Sequence, residues 1–61
     1  MIIYKDVNEA GEFTLSIAKN GKSVKIELGI FSELSRLNNG YEMVKATLRA
    51  TGKKVSVVDN I

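Results

Sequence analysis

The stretch Phe13–Leu28, FTLSIAKNGKSVKIEL, decides the predicted fold. Apolar and polar residues alternate on both sides of Asn20-Gly21, as they do in two strands that each bury one face. Asn-Gly favours a two-residue type I′ turn, which would set Lys19 opposite Lys22. The sequence therefore predicts an antiparallel β-hairpin centred on Asn20-Gly21.

The turn also predicts which residues of the two strands face each other, because loop length fixes the register of a hairpin. In this register the apolar side chains share one face, in the pairs Phe13 with Leu28, Leu15 with Ile26, and Ile17 with Val24. We expect water to reach the opposite face, which carries Thr14, Ser16, Lys25 and Glu27.

Two further segments resemble strands. Ile2-Ile3-Tyr4 consists of β-favouring residues, and a turn over Asn8–Gly11 separates it from the hairpin. We expect this segment to form an extra edge strand. At the other end of the chain, Val55–Val58 predicts a final strand, whose open edge suits pairing between chains.

Between the hairpin and the final strand, apolar residues recur at helical spacing: Phe31, Leu34, Leu37, Tyr41, Val44 and Leu48. Asn38-Asn39-Gly40 interrupts this stripe with poor helix formers, and Asn39 with Glu42 fits an N-cap and capping box. We therefore expect a short first helix and a second helix from Gly40 or Tyr41, with one kinked helix as the alternative. Gly52 is placed as a C-cap glycine.

These elements predict a single α+β domain over residues 1–61, in the order (β)ββαβ. The helical segment would pack on one face of a hairpin-based antiparallel sheet and form the second layer. The expected core consists of Phe13, Leu15, Ile17, Val24, Ile26, Leu28, Leu34, Val44 and Leu48. A domain of this size buries only about 60% of the surface that its unfolded chain exposes. We therefore expect a homodimer or a bound partner.

The composition excludes several kinds of chemistry. Without cysteine or histidine, the chain cannot form disulfides, use thiolate or imidazole catalysis, or build the common zinc sites. Asp6, Glu9 and Glu12 lie close together but lack the spacing of a calcium loop, and the glycines form no phosphate-binding loop. We predict no catalytic residue, no metal site and no cofactor, and we do not expect an enzyme.

Charge is distributed unevenly along the chain. Residues 1–18 carry one lysine and three acidic residues, whereas residues 45–61 carry four basic residues and one aspartate. Basic side chains suit contacts with nucleic-acid phosphates, and they also suit the C-terminal end of a helix. The candidate nucleic-acid-binding residues are Arg36, Lys45, Arg49, Lys53 and Lys54.

The helix predicted from Tyr41 to Thr51 also carries a strip outside its core face. Met43, Ala46 and Ala50 combine small side chains with a flexible methionine, which suits close contact with a partner surface. We take these three as candidate partner-binding residues. No secretion signal and no apolar segment of membrane-spanning length occurs, so we expect a cytoplasmic protein without a membrane partner.

The C-terminal half resembles a known family. The segment Tyr41-Glu42-Met43-Val44-Lys45-Ala46, followed by Lys53-Lys54-Val55 and Val58-Asp59, is similar to the C-terminal half of the Dmd family of small phage antitoxins. The resemblance implies a phage-encoded inhibitor that works in the host cytoplasm, where it binds a host toxin or defence protein and blocks its active surface.

The same segment is similar to the tail of helix-turn-helix antidote repressors. Helices over Phe31–Asn38 and from Tyr41 would then form the motif, but a third supporting helix is missing from the sequence.

Two hypotheses follow from the sequence. The first is a non-enzymatic protein-binding module that inhibits a host protein by steric occlusion, since patches of both charge signs favour a protein partner. The second is a small DNA- or RNA-binding regulator that uses the basic C-terminal half.

Overall fold

The computed structural model describes all 61 residues and contains four strands and one helix. In chain order the elements are β1 (Ile2–Val7), β2 (Phe13–Ala18), β3 (Ile26–Phe31), α1 (Leu34–Ala50) and β4 (Ser56–Asp59). The helix packs on one face of the sheet against β2 and β3. The expected α+β class and its two layers are confirmed.

The strand order in the sheet is β3-β2-β1-β4, so β1 is an interior strand and the expectation of an edge strand at Ile2–Tyr4 is wrong. β1 runs antiparallel to β2 and parallel to β4, so the sheet is mixed rather than antiparallel throughout. The crossover through α1 returns the chain to the far side of β1, where the Ser56 N–H donates to the Met1 carbonyl over 3.0 Å. Ile3 is fully buried as a result.

The hairpin of β2 and β3 exists, but its turn differs from the expected type I′. The Lys22 N–H donates to the Lys19 carbonyl over 3.1 Å, and Gly21 has a φ of 78°. No residue other than glycine has a positive φ, so Asn20 does not adopt the conformation that a type I′ turn requires. Residues 22–25 therefore lie outside the strand.

The register of the hairpin is also shifted from the expected one. Phe13 lies opposite Phe31 and Leu15 opposite Gly29, whereas Ile17 lies opposite Ile26. The register changes between Leu15 and Ser16, which leaves Leu28 as the extra residue of a β-bulge. The bulge restores the alternation near the turn, so Ile17 and Ile26 still share the face that carries α1.

The ring of Phe31 packs between two glycines in this register. The ring folds back over Gly29. A Cβ at position 29 would lie only 3.0 Å from Cζ of Phe31, so any other residue there would require the ring to move. The same Cζ would lie 3.3 Å from a Cβ on Gly40 in the helix. Gly29 and Gly40 thus form the two sides of a slot that holds Phe31.

The slot also explains why the expected break at Asn38-Asn39-Gly40 is absent. α1 runs without interruption through these residues, and Phe31, expected in the helical stripe, belongs to β3 instead. Glu33 is the N-cap and makes no side-chain capping bond, so the capping box at Asn39 is not formed. Gly40 costs helix propensity but allows the backbone of α1 to approach Phe31 and Leu15 closely.

The C-terminal end of α1 follows the sequence expectation. Gly52 has a φ of 80°, its N–H donates to the Arg49 carbonyl over 3.0 Å, and the Lys53 N–H donates to the Leu48 carbonyl over 3.1 Å. These two bonds make a Schellman motif with glycine at the left-handed position. The C-cap glycine is confirmed.

The core is smaller than expected. Its fully buried large side chains are Ile3, Leu15 and Leu37, and the half-buried residues packed against them are Phe13, Ile17, Phe31, Tyr41, Val44, Leu48 and Val55. Three expected core residues are exposed because α1 leaves the outer edge of the sheet uncovered: Val24, Ile26 and Leu28. Leu34, also expected in the core, is exposed in the first turn of α1.

The face of the sheet opposite α1 is less open than expected. Ser16 is buried there, and it lies opposite Glu27 rather than Lys25. The ammonium of Lys25 lies 4.1 Å from the ring centroid of Tyr4 and 3.8 Å from a carboxylate oxygen of Asp6. The long side chains of Lys25 and Tyr4 thus shield the centre of this face from water.

The observed turn predicts unequal effects of two substitutions. Gly21→Ala should lower the free energy of unfolding by about 1 kcal/mol, because alanine is strained at a positive φ. Asn20→Ala should change it by less than about 0.5 kcal/mol. Urea denaturation of both variants checks this, and equal losses would instead indicate the type I′ turn.

The slot predicts that Phe31 and Gly40 are energetically coupled. In a Phe31→Leu background, which removes Cζ, Gly40→Ala should stabilise the protein by up to about 1 kcal/mol through helix propensity. With Phe31 present, crowding should remove at least about half of that gain. A double-mutant cycle by thermal or urea denaturation measures the difference, and additive effects would show that Phe31 does not constrain Gly40.

Candidate functional site

An apolar groove runs between α1 and the outer strand β3. It has a volume of about 330 Å³ and is lined by Ile17, Leu28, Met43, Val44, Thr47 and Leu48. The Thr47 hydroxyl donates to the Met43 carbonyl over 2.9 Å, so its donor is already used within the helix. The groove therefore offers a partner apolar surface with no competing hydrogen-bond donor from Thr47.

The strand beside the groove is an open edge. β3 pairs with β2 on one side only, so main-chain N–H and C=O groups on its other side have no strand partner. Exposed apolar side chains accompany this edge: Val24 at 72%, Ile26 at 60%, Leu28 at 44% and Ile30 at 50% exposure. Ile30 points to the face away from α1, so we call Val24, Ile26 and Leu28 together with Met43 the β3 surface.

A second hollow lies at the turn end of the same edge. It has a volume of about 290 Å³, and Ile17 and Ile26 line it together with Met1, Ala18 and Val24. Because it shares Ile17 with the groove, the two hollows together follow the edge from Val24 to Leu28.

The structure separates the three candidate partner-binding residues. Met43 lines the groove and is 72% exposed, whereas Ala46 and Ala50 are exposed but line neither hollow. Leu28 and Val24 belong to the β3 surface, although the sequence pattern placed both in the core. The bulge at Leu28 and the loop before β3 carry no local signal that would have moved them out.

The five candidate nucleic-acid-binding residues do not form one unpaired patch. Arg36 lies 3.5 Å from a carboxylate oxygen of Glu33, and Lys45 lies 3.1 Å from one of Glu42. The ammonium of Lys45 is also 4.9 Å from the ring centroid of Tyr41. Of these five residues, the three exposed ones near the C-terminal end of α1 have no ion pair: Arg49, Lys53 and Lys54.

A lysine that sequence reasoning did not single out sits on the other flank of α1. The ammonium of Lys5 lies 4.0 Å from the ring centroid of Tyr41, donates to the Asn38 amide oxygen over 3.3 Å, and lies 4.0 Å from an Asp59 oxygen. Its side chain is 13% exposed. These contacts connect β1, α1 and β4, so we interpret Lys5 as a structural residue.

The acidic residues near the N-terminus are used within the fold. Asp6 accepts from the Asn60 side chain over 2.6 Å and pairs with Lys25. The carboxylate of Glu12 accepts from the Asn8 side chain over 3.4 Å. No three acidic side chains converge in an arrangement that would hold a metal ion. No helix combines the length and the apolar character needed to cross a membrane.

Comparisons with known proteins give no match: no family model, no curated protein and no solved structure is significantly similar to this chain.

The exposure of the groove predicts that its outer residues can be changed without loss of the fold. Met43→Ser should change the free energy of unfolding by less than about 1 kcal/mol, because the side chain is mostly in water. Leu37→Ala should lower it by about 2 to 5 kcal/mol, because Leu37 is fully buried. Chemical denaturation of both variants checks this, and a large loss for Met43→Ser would place Met43 in the core.

Proposed function

We propose that this protein is a non-enzymatic protein-binding module that inhibits its target by covering the target's active surface. The observation that supports this proposal is the β3 surface, where an unpaired strand edge lies beside an apolar groove. A continuous exposed apolar surface of this kind is typical of sites that bind other proteins.

The proposed mode of binding is strand addition. An extended segment of the target would pair with the free edge of β3 through main-chain hydrogen bonds. Alternate side chains of that segment would then enter the groove beside Leu28 and Met43, where apolar contact selects among partners. This mode needs no reactive group on the inhibitor, because the bound chain itself excludes the target's substrate.

The Dmd-like segment gives the proposal a biological setting. We suggest a phage or mobile-element protein that works in the host cytoplasm against a toxin or defence protein. The resemblance lies in α1 and in the residues leading into β4, and the Dmd-like segment and the groove share Met43 and Val44.

The proposal predicts that one host protein is captured through the β3 surface. We would use the tagged full chain, lysate of the natural host and nuclease treatment, and compare the wild type with Leu28→Ser/Met43→Ser. The control is Leu34→Ser alone, because Leu34 is an exposed leucine outside the groove at 41% exposure. We expect one stoichiometric protein with the wild type and the control, and at least a tenfold loss with the double variant.

Two results would contradict the proposal. If the double variant retains the partner as well as the wild type, binding does not use the groove. If nuclease removes all partners and alanine at Arg49, Lys53 and Lys54 abolishes capture, the alternative function in nucleic-acid binding is correct.

A further inference from the structure

The geometry points to a second copy of this chain as the occupant of the β3 edge in the free protein, paired antiparallel about a two-fold axis at Ile26. Such pairing would join the two sheets into one sheet of eight strands. The inference stands without the proposed function. If both hold, the target and the second copy compete for the same edge.

The edge of β3 lacks the usual protection against pairing. Within Ile26–Phe31 the only charged residue is Glu27, and the chain contains no proline. Natural proteins block open edges with lysine, proline, bulges or covering loops. The bulge at Leu28 is the one such device here, and it limits regular pairing to the part of the edge that precedes Gly29.

The segment Val24–Leu28 is complementary to itself, and pairing would extend β3 backwards over Val24 and Lys25, which precede the strand in the free chain. An axis at Ile26 places Ile26 against Ile26 of the second copy, and Val24 against Leu28 of the second copy. It also places Lys25 against Glu27 of the second copy, and the symmetry repeats that pair. Opposite charges directly across two strands stabilise a pair, and apolar residues across the other positions bury exposed surface.

The faces of the sheet agree with this register. Ile26 lies opposite Ile17 and therefore points to the side that carries α1. Glu27 lies opposite Ser16, and Lys25 lies over Tyr4, so both point to the other side. The charges would meet on one face and the apolar side chains on the other, beside the groove.

Neighbouring registers are less favourable. An axis at Glu27 would place two carboxylates opposite each other, and an axis at Lys25 would do the same with two ammonium groups, which destabilises a strand pair. An axis at Leu28 would pair Ile26 with Ile30. Ile30 lies opposite Thr14 and points away from α1, whereas Ile26 points towards it, so the two side chains would be on different faces. Among these four registers, the axis at Ile26 satisfies both charge and face.

The helices also fit this arrangement. α1 packs against β2 and β3 on one face, so a two-fold axis beside β3 would bring both copies of α1 to the same face of the joined sheet. Met43 and Ala50 lie seven residues apart on the flank of α1 that faces β3, and Met43 would fill the space above Leu28.

The first test is disulfide trapping, which is clean because the chain has no cysteine. Paired residues at an antiparallel two-fold axis have Cα atoms about 4.5 to 5.5 Å apart, within the range that a disulfide spans. Ile26→Cys should therefore form a covalent dimer on mild oxidation. Leu28→Cys is the matched control, because the two copies of residue 28 would be about 13 Å apart along the strands.

The second test is a charge exchange followed by sedimentation analysis. Lys25→Glu and Glu27→Lys should each weaken the dimer by about tenfold or more, because each places like charges together twice. An equimolar mixture of the two variants should recover the dimer, since every pair across the axis is then opposite in charge. Glu27→Lys leaves the contacts of Lys25 with Asp6 and Tyr4 intact, so it separates loss of pairing from loss of folding.

The inference is overturned if the wild type sediments as a monomer at about 1 mM, which would leave the edge for a different chain. It is equally overturned if Leu28→Cys crosslinks as readily as Ile26→Cys, or if the mixed variants stay monomeric while the wild type dimerises. A dimer that passes both tests but captures no host protein would contradict the proposed function alone.

Discussion

The contact of the Phe31 ring with Gly29 on one side and Gly40 on the other is the constraint on which the rest of the structure depends. It constrains how β3 aligns with β2, because Gly40 lies against both Phe31 of β3 and Leu15 of β2. It also sets how closely α1 approaches the sheet, because only glycine at position 40 leaves room for the ring. One aromatic side chain thus constrains both the register within the sheet and the contact between the two layers.

The exposed surface follows from the same constraint. With Phe31 opposite Phe13, β3 is shifted along β2 relative to a tight hairpin, and the excess chain appears as the loop before Ile26 and the bulge at Leu28. The side chains in these two places cannot reach beneath α1. The apolar residues that surround the groove are therefore a product of the way the core is assembled, in a domain too small to cover them.

Local sequence patterns predicted those features whose causes are local. The presence of β2 and β3, the glycine at the end of α1 and a final strand each depend on residues a few positions apart. The register could not be predicted in this way, because the reason for it lies between Phe31 and Gly40, which meet only after the helix has formed. Alternation shows which face of a strand is apolar, but it does not show whether a helix covers that face. Val24, Ile26 and Leu28 were placed in the core for this reason.

The remaining features could not be predicted because they depend on the topology of the sheet. The sequence of β1 is compatible with an edge or an interior position, and only the return of β4 beside it decides the matter. The sequence predicts part of the candidate site. It indicates Met43 from its place on the helix, but it places Leu28, which also lines the groove, in the core. Its role in a groove depends on a bulge that is caused by contacts elsewhere in the chain.

Ion pairs in the folded protein reduce the charge asymmetry seen along the sequence. Four ion pairs join acidic and basic residues, and two of them, Lys5 with Asp59 and Lys25 with Asp6, connect segments far apart in the chain. The pairs leave Arg49, Lys53 and Lys54 unpaired near the C-terminal end of α1, and none of the three lines the groove. At the β3 surface, recognition then depends on short-range contacts. Glu27 is the only charged residue of β3, and its carboxylate has no ion pair. A chain that pairs with the open edge would therefore meet this carboxylate.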